Sequence, residues 1–166
     1  MNKTLRLFIL SGLISFSPLF GATAAPEDWK GAQRESNLTL GSSAGIAIVD
    51  GSVGFSLLGA AGLKIVHHGF ISEDINDQVF AEVQMGPVMV KSTTGFLLSA
   101  HARWDFHRNE TLTLFAVGGV SGLVISQTSQ FFPRFGLGCF YRFTDLVSLR
   151  VDFSHEWVTA GASFEL

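Results

Sequence analysis

The alternation of side chains over residues 95–115 constrains this chain more than any other feature. Every second residue is apolar on one face, and the opposite face is mixed and partly charged: Phe96, Leu98, Ala100, Ala102, Trp104 and Phe106 against Leu97, Ser99, His101, Arg103 and Asp105. A period of two is typical of a β-strand whose two faces meet different surroundings. The polar residues 107–110 interrupt the pattern, which resumes at Leu112. The stretch therefore predicts a β-hairpin.

The same alternation recurs along the chain and predicts about eight strands. The alternating segments are Leu38–Val49, Val53–Ile65, Val79–Met85, Phe96–Phe106, Thr111–Ile125, Phe131–Phe143, Val147–Phe153 and Val158–Leu166. Asp50-Gly51 is a strong hairpin signal, and Pro87 in the third strand indicates a bulge or an edge position. The strand lengths are close to the roughly 9–11 residues that cross a bilayer at a tilt.

The N-terminal residues have the pattern of a secretory signal peptide. Lys3 and Arg6 form a basic start, Leu7–Phe16 is a short apolar core, and Ala22-Thr23-Ala24 is a small-residue cleavage site. The alternative, an uncleaved membrane anchor, needs an apolar core about twice as long. The predicted organisation is a signal peptide over residues 1–24, a flexible leader over residues 25–37 and a β-barrel domain over residues 38–166.

Composition narrows the class of protein. The chain is 47% hydrophobic and only 15% charged, with a mean hydropathy of +0.36, and no segment after the signal peptide is a candidate transmembrane helix. An exported chain of this kind is either a soluble β domain with a heavy core or a membrane barrel. The net charge of −3 and the absence of a basic stripe argue against nucleic acid as a partner. Cys139 is the single cysteine, so no internal disulfide is possible.

Alternation alone leaves the orientation open, because a soluble barrel of the lipocalin type would turn its apolar side inward. Three features favour apolar side chains outward. Small glycines accompany the charged residues, as a narrow lumen requires. The charges on that face nearly balance: Lys64, Arg103, Arg134, Arg142 and Arg150 against Glu82, Asp105, Asp152 and Glu156. Aromatic residues collect at both ends of the apolar face: Trp104, Phe106, Tyr141, Phe143 and Phe164 at one end, and Phe55, Phe96, Phe131 and Phe153 towards the other.

With its signal peptide, its alternating strands and a final strand Val158–Leu166 carrying Phe164, the chain resembles the small outer-membrane β-barrel proteins of Gram-negative bacteria, of OmpA/OmpX-like architecture. The resemblance implies an all-β, eight-stranded antiparallel up-and-down transmembrane β-barrel in the outer membrane. It also implies insertion by the barrel-assembly machinery, with the C-terminus on the periplasmic side. The expected partners are outer-membrane lipid and that machinery, and any partner protein stays unknown.

Counting from a periplasmic C-terminus assigns each connection to a side of the membrane. The connections expected in the periplasm are Thr144-Asp145, His107–Glu110 and His67–Asp77. Those expected outside are Asp50-Gly51, Lys91–Thr94, Ser126–Gln130 and His155–Trp157.

Two groups of residues carry reactive side chains, but neither predicts a site. His67, His68, Glu73, Asp74 and Asp77 are possible metal ligands, and their spacing fixes no coordination geometry, so a solvated loop is the better interpretation. Ser154, His155 and Glu156 are the residue types of a hydrolytic triad, yet a triad is recognised by geometry rather than by adjacency. We therefore assign no catalytic residue, no cofactor and no metal site from the sequence.

The leading hypothesis is an integral outer-membrane barrel with a structural or interaction role, a lumen packed by a charged network and no open pore. One alternative is a rim-active enzyme that modifies lipid A or a phospholipid. The other is a soluble periplasmic barrel that binds an apolar ligand.

Overall fold

The computed structural model describes residues 36–49, 51–71, 75–91, 93–125 and 128–166. The predicted signal peptide and residues 25–35 of the predicted leader lie outside the described residues, as do Asp50, Glu73 and Asp74. Among the residues described, no helix is long and apolar enough to span a membrane.

Eight antiparallel strands form a closed barrel in which each strand pairs with its neighbours in sequence and β8 pairs with β1. The strands are β1 Leu38–Val49, β2 Ser52–Val66, β3 Asp77–Val90, β4 Thr93–His107, β5 Leu112–Ile125, β6 Thr128–Arg142, β7 Val147–Ser154 and β8 Trp157–Glu165. The prediction of an all-β, eight-stranded, up-and-down antiparallel barrel is confirmed.

The connections differ between the two ends of the barrel. At one end the strands are joined through residues 50–51, 91–92, 126–127 and 155–156. At the other end the connections are residues 67–76, 108–111 and 143–146, and both termini of the barrel lie there, where the backbone N–H of Leu166 donates to Leu38 O at 2.9 Å. We call these the short-turn end and the terminal end. The barrel thus consists of four hairpins that meet at four seams.

Side chains alternate between the two faces of the wall as the period of two predicts. Leu98 and Phe135 on the outer face are 51% and 63% exposed, whereas Arg103 and Asp152 are wholly buried inside. The interior also contains apolar side chains. One cluster lies towards the short-turn end and includes Leu58, Val88, Leu97, Leu123 and Trp157, and another consists of Phe115, Val117 and Phe140.

Pro87 does not mark an edge strand, because β3 pairs with β2 on one side and with β4 on the other. The β2–β3 ladder instead omits Leu57 and Leu58 opposite Gly86 and Pro87 and then continues in the same register. Proline has no N–H to donate to a ladder, so a local interruption is what this residue requires. The register of this pair shifts elsewhere, between Lys64 and Val66.

Two glycines allow β1 and β8 to approach each other at the seam that closes the barrel. A Cβ atom added to Gly161 would overlap the carbonyl oxygen of Ser42, and one added to Gly45 would overlap the carbonyl oxygen of Val158. Any larger residue at these positions would therefore push the two strands apart.

Gly161→Val is expected to destabilise the folded barrel by about 1–3 kcal/mol, the usual cost of overpacking a tight site. Ala160→Val is the matched control, because Ala160 is the preceding residue on the same strand and its side chain is exposed. The measurement is urea unfolding of both variants in detergent micelles. Equal stability of the two variants would contradict the close approach at this seam.

Candidate functional site: the polar interior and the turn between β7 and β8

Glu82 on β3 is the centre of a buried ion-pair network. His101 Nε2 lies 3.0 Å from Glu82 Oε1, and Arg103 Nη1 donates to Glu82 Oε2. Arg150 Nη2 donates to Oε1 at 2.7 Å and Arg150 Nη1 donates to Oε2 at 3.0 Å, which makes this pair bidentate. The two carboxylate oxygens thus contact side chains from β4 and from β7. Charge-assisted bonds of this kind are the strong ones in proteins.

Two aspartates complete the network. Asp105 accepts two hydrogen bonds from Arg103, from Nε at 2.8 Å and from Nη2 at 3.1 Å. Asp152 accepts from Arg134 Nη2 at 3.1 Å and from Arg150 Nη2 at 2.9 Å. Three arginines therefore face three carboxylates, and the neutral balance limits the cost of burying them.

The network crosses the lumen. Glu82 on β3 and Arg150 on β7 are four strands apart in an eight-stranded barrel, so they lie on opposite walls. Gln84 on β3 makes a second crossing, with Nε2 donating to Asp152 at 3.4 Å. These contacts tie opposite walls together through the centre of the barrel.

Aromatic rings fill the space around the guanidinium groups. The Arg103 guanidinium carbon lies 4.3 Å from the centre of the Phe80 ring and 4.9 Å from that of Phe140. The Arg150 guanidinium lies 5.1 Å from the Phe115 ring. Sequence reasoning missed these rings as lumen residues. The alternation of the strand could have predicted their inward position, because Phe80 is two residues from Glu82 on β3 and lies on the same face.

Inward-facing glycines make room for the large groups. A Cβ at Gly62 would come within 2.7 Å of Thr39 Oγ1 and 3.4 Å of Glu82 Oε2, and one at Gly138 would overlap the Phe115 ring. These glycines therefore leave space in the narrow lumen for the long polar side chains, as the sequence pattern predicted.

The possible triad residues lie in the turn between β7 and β8. Ser154 Oγ donates to the carbonyl oxygen of Trp157 at 3.2 Å and accepts from its N–H at 3.1 Å. The imidazole of His155 contacts the carboxyl of Glu156. Among the hydrogen bonds of the described residues, none joins Ser154 to His155. The serine hydroxyl thus stabilises the turn, and the three residues do not form a nucleophile–base pair in this geometry.

Burial raises the pKa of Glu156, although His155 and Arg134 oppose the shift. A raised acid pKa favours the protonated form in the folded state. The stability that this group contributes is therefore complete below its ordinary pKa and is lost as the pH rises through the folded value.

Glu156→Gln is accordingly expected to stabilise the barrel at pH 7 and to have little effect at pH 4. The gain should stay below about 1 kcal/mol, the scale of one partly solvated charge. Urea midpoints of the two proteins at both pH values provide the measurement. A gain that is larger at pH 4 than at pH 7 would show that the sign is wrong.

The Asp77 carboxylate organises the described part of the polar loop at the terminal end. The Asp77 carboxylate accepts from the N–H of Phe70 at 2.9 Å and from Trp104 Nε1 at 2.8 Å. The rings of Phe70 and Trp104 also make an edge-to-face contact at 5.5 Å. Within the described part of the chain, no three histidine, cysteine or acidic side chains are grouped as metal ligands.

Comparisons with known proteins bear on the fold. No protein-family model matches the sequence, and neither does any curated protein. The N-terminal β-barrel domain of Pseudomonas aeruginosa OprF is similar in structure, with a TM-score of 0.54 and 17% identity over 79% of this chain and 98% of that domain. Ail, the attachment invasion locus protein of Yersinia pestis, aligns with a TM-score of 0.46 and 12% identity over 80% of this chain and 100% of Ail.

The OprF domain aligns over nearly its whole length, and this chain forms a closed ring of eight strands. From β1 to β8, this chain has the fold of the small eight-stranded outer-membrane β-barrels.

Proposed function

We propose that the protein is an integral outer-membrane β-barrel with a structural or interaction role, whose lumen is closed by its own side chains. The observation that carries the proposal is the chemistry of the outer face. Exposed apolar side chains occur on all eight strands, among them Ile46, Leu57, Met85, Leu98, Val120, Phe135, Phe153 and Val158. Soluble monomers rarely expose apolar surface that is continuous over such an area.

The interior supports a closed lumen. An eight-stranded barrel is just wide enough for side chains to fill it, and Glu82, Arg103 and Arg150 occupy the centre without exposure to solvent. A polar interior around an apolar exterior is the arrangement of barrels that span membranes. A soluble ligand-binding barrel has the opposite arrangement.

Fractionation of the producing cell tests the proposal. The protein is expected in the outer-membrane fraction, resistant to extraction by urea and carbonate, and with an electrophoretic mobility that changes on heating. Recovery in the soluble periplasmic fraction would overturn the proposal.

Conductance across a planar bilayer tests the closed lumen separately. The purified protein is expected to give no steady ionic current after insertion. A stable open-channel current from the unmodified protein would contradict a lumen filled by its own side chains.

A further inference from the structure

One seam of the barrel wall is incomplete at the short-turn end. At the other three seams, the longer strand extends only two residues past the last cross-strand pair, as β1 does beyond the pair Ala47–Trp157. At the β6–β7 seam the last pair is Gly136–Ser154, so residues 128–135 of β6 have no partner on β7. We call this interruption the wall gap. It arises because the hairpin of β7 and β8 is shorter than its neighbours.

A cavity of about 430 Å³ lies at the wall gap. Its inner side is lined by apolar lumen residues that include Val88, Leu97 and Leu123. Its outer side is lined by Ile48 and Phe131, which are 45% and 85% exposed. Residues of both faces therefore line one cavity, which connects the barrel interior with the outer surface of the wall. The volume lies in the range of roughly 300–1,000 Å³ that is typical of small-molecule sites.

Three residues with polar side-chain groups, Gln130, Glu156 and Trp157, line this otherwise apolar cavity. Trp157 is 3% exposed, and its indole Nε1 has no hydrogen-bond partner among the residues described. A buried donor without a partner costs free energy, and a ligand acceptor would recover it. The Glu156 carboxyl lines the cavity beside Trp157. The Arg134 guanidinium stacks on the Trp157 ring at 4.2 Å, which helps to fix the direction of the indole N–H.

The side chains of Trp157 and Glu156 determine which polar head group a ligand in this cavity can have. The indole N–H requires an acceptor, which an ammonium group lacks, and the carboxyl disfavours an anionic head. No lysine or arginine is among the described residues that line the cavity. The Arg134 guanidinium behind the Trp157 ring is already paired with Asp152, which reduces the counter-charge that it offers to an anionic head. A hydroxyl fits both neighbours, because it accepts from the indole and donates to the carboxyl.

We propose that this cavity binds a neutral single-chain amphiphile, with its hydroxyl-bearing head at Trp157 and Glu156 and its chain against Val88, Leu97 and Leu123. The ligand enters sideways through the wall gap. The route of entry from lipid depends on the membrane location proposed above, whereas binding in the cavity does not.

Titration of the refolded barrel in lipid nanodiscs with 1-dodecanol tests the proposal, with the indole resonances of ¹⁵N-labelled tryptophan as the readout. The chain has three tryptophans, and Trp157→Phe assigns the resonance of interest. We expect a saturable shift of the Trp157 resonance and no comparable shift of the Trp104 resonance. Shifts that grow without saturation, as for simple partition into the bilayer, would overturn the proposal.

Variants locate the binding site. Ala47→Phe fills the cavity from β1 and should weaken binding at least ten-fold, and Val88→Phe does the same from β3 if the first variant fails to fold. Ala100→Phe on the outer face is the matched control and should bind as the unmodified protein does. Unchanged binding in a folded, cavity-filled variant would place the ligand elsewhere and refute the proposal.

Ligand analogues test the head group. Dodecanol should bind about five-fold or more tightly than dodecane and than dodecanoate. Trp157→Phe, whose affinities are measured by calorimetry because it lacks the reporting indole, should remove the advantage over dodecane. Dodecanoate binding as tightly as dodecanol would contradict the assigned head group. Failure to bind leaves the proposed membrane function intact, whereas failure to insert into nanodiscs would count against that function and not against the cavity.

Discussion

Glu82→Gln is expected to lower the free energy of unfolding by about 3–5 kcal/mol, the usual cost of removing one partner from a buried ion pair. Glu82 lies within hydrogen-bonding distance of His101, Arg103 and Arg150. Glutamine has nearly the same shape but no charge, so the arginines keep their positions and lose a counter-ion. Urea unfolding in detergent micelles, followed by tryptophan fluorescence, measures the loss.

The control for Glu82 is a double-mutant cycle with Arg150. If the two side chains interact across the lumen, Glu82→Gln combined with Arg150→Gln should be less destabilising than the sum of the single changes, by about 0.5–3 kcal/mol. Strict additivity of the two changes would show that the cross-lumen pair contributes nothing to stability.

Ala100→Arg is expected to destabilise the barrel in a bilayer by about 2–4 kcal/mol, because arginine at the midplane of a lipid-facing surface must be withdrawn from water. Ala100 is exposed on β4, and its cross-strand neighbours are Val83 and Val120. It lies halfway between Phe96 and Trp104, the aromatic residues near the two ends of this strand's outer face. Unfolding and refolding in lipid vesicles provide the measurement.

Thr94→Arg is the matched control on the same strand and face, beyond Phe96. It should cost only about 0–1 kcal/mol, as is typical near the membrane interface. If both arginines cost the same, the proposed placement of the membrane across β4 is wrong.

The barrel could be predicted because successive residues of a strand point to opposite faces of the sheet, so the sequence shows which residues share a face. Leu97 to Asp105 alternate in the sequence as they do in the structure, and β1 has the predicted bounds, Leu38–Val49. This alternation can be recognised within a single strand, because a strand whose two faces meet different surroundings changes polarity at every residue. Eight strands of this kind are enough to close a sheet.

The partners inside the barrel were not predictable in the same way. The pairing of Glu82 with Arg150 depends on how the sheet closes, which brings residues 68 positions apart into contact. The inward position of Phe140 follows from the alternation of the strand, but an aromatic ring on a charged face is a weak signal. Its contacts with Arg103, Arg150 and Phe115 explain it in the folded barrel.

The wall gap could not be predicted from the sequence for a different reason. It depends on the difference in length between β6 and β7, and the sequence pattern begins at Phe131, three residues after the true start of β6 at Thr128. The sequence pattern therefore predicted only a turn at Glu156 and Trp157. The cavity that they line exists only because the neighbouring hairpin continues past them.

Sedimentation of the purified, folded barrel after removal of detergent is the most direct test of the outward orientation of the apolar face. We expect a folded monomer above the critical micelle concentration and aggregation below it, since side chains such as Leu98 and Phe135 would meet water. A folded, monodisperse monomer in detergent-free buffer would contradict the outward orientation of these side chains.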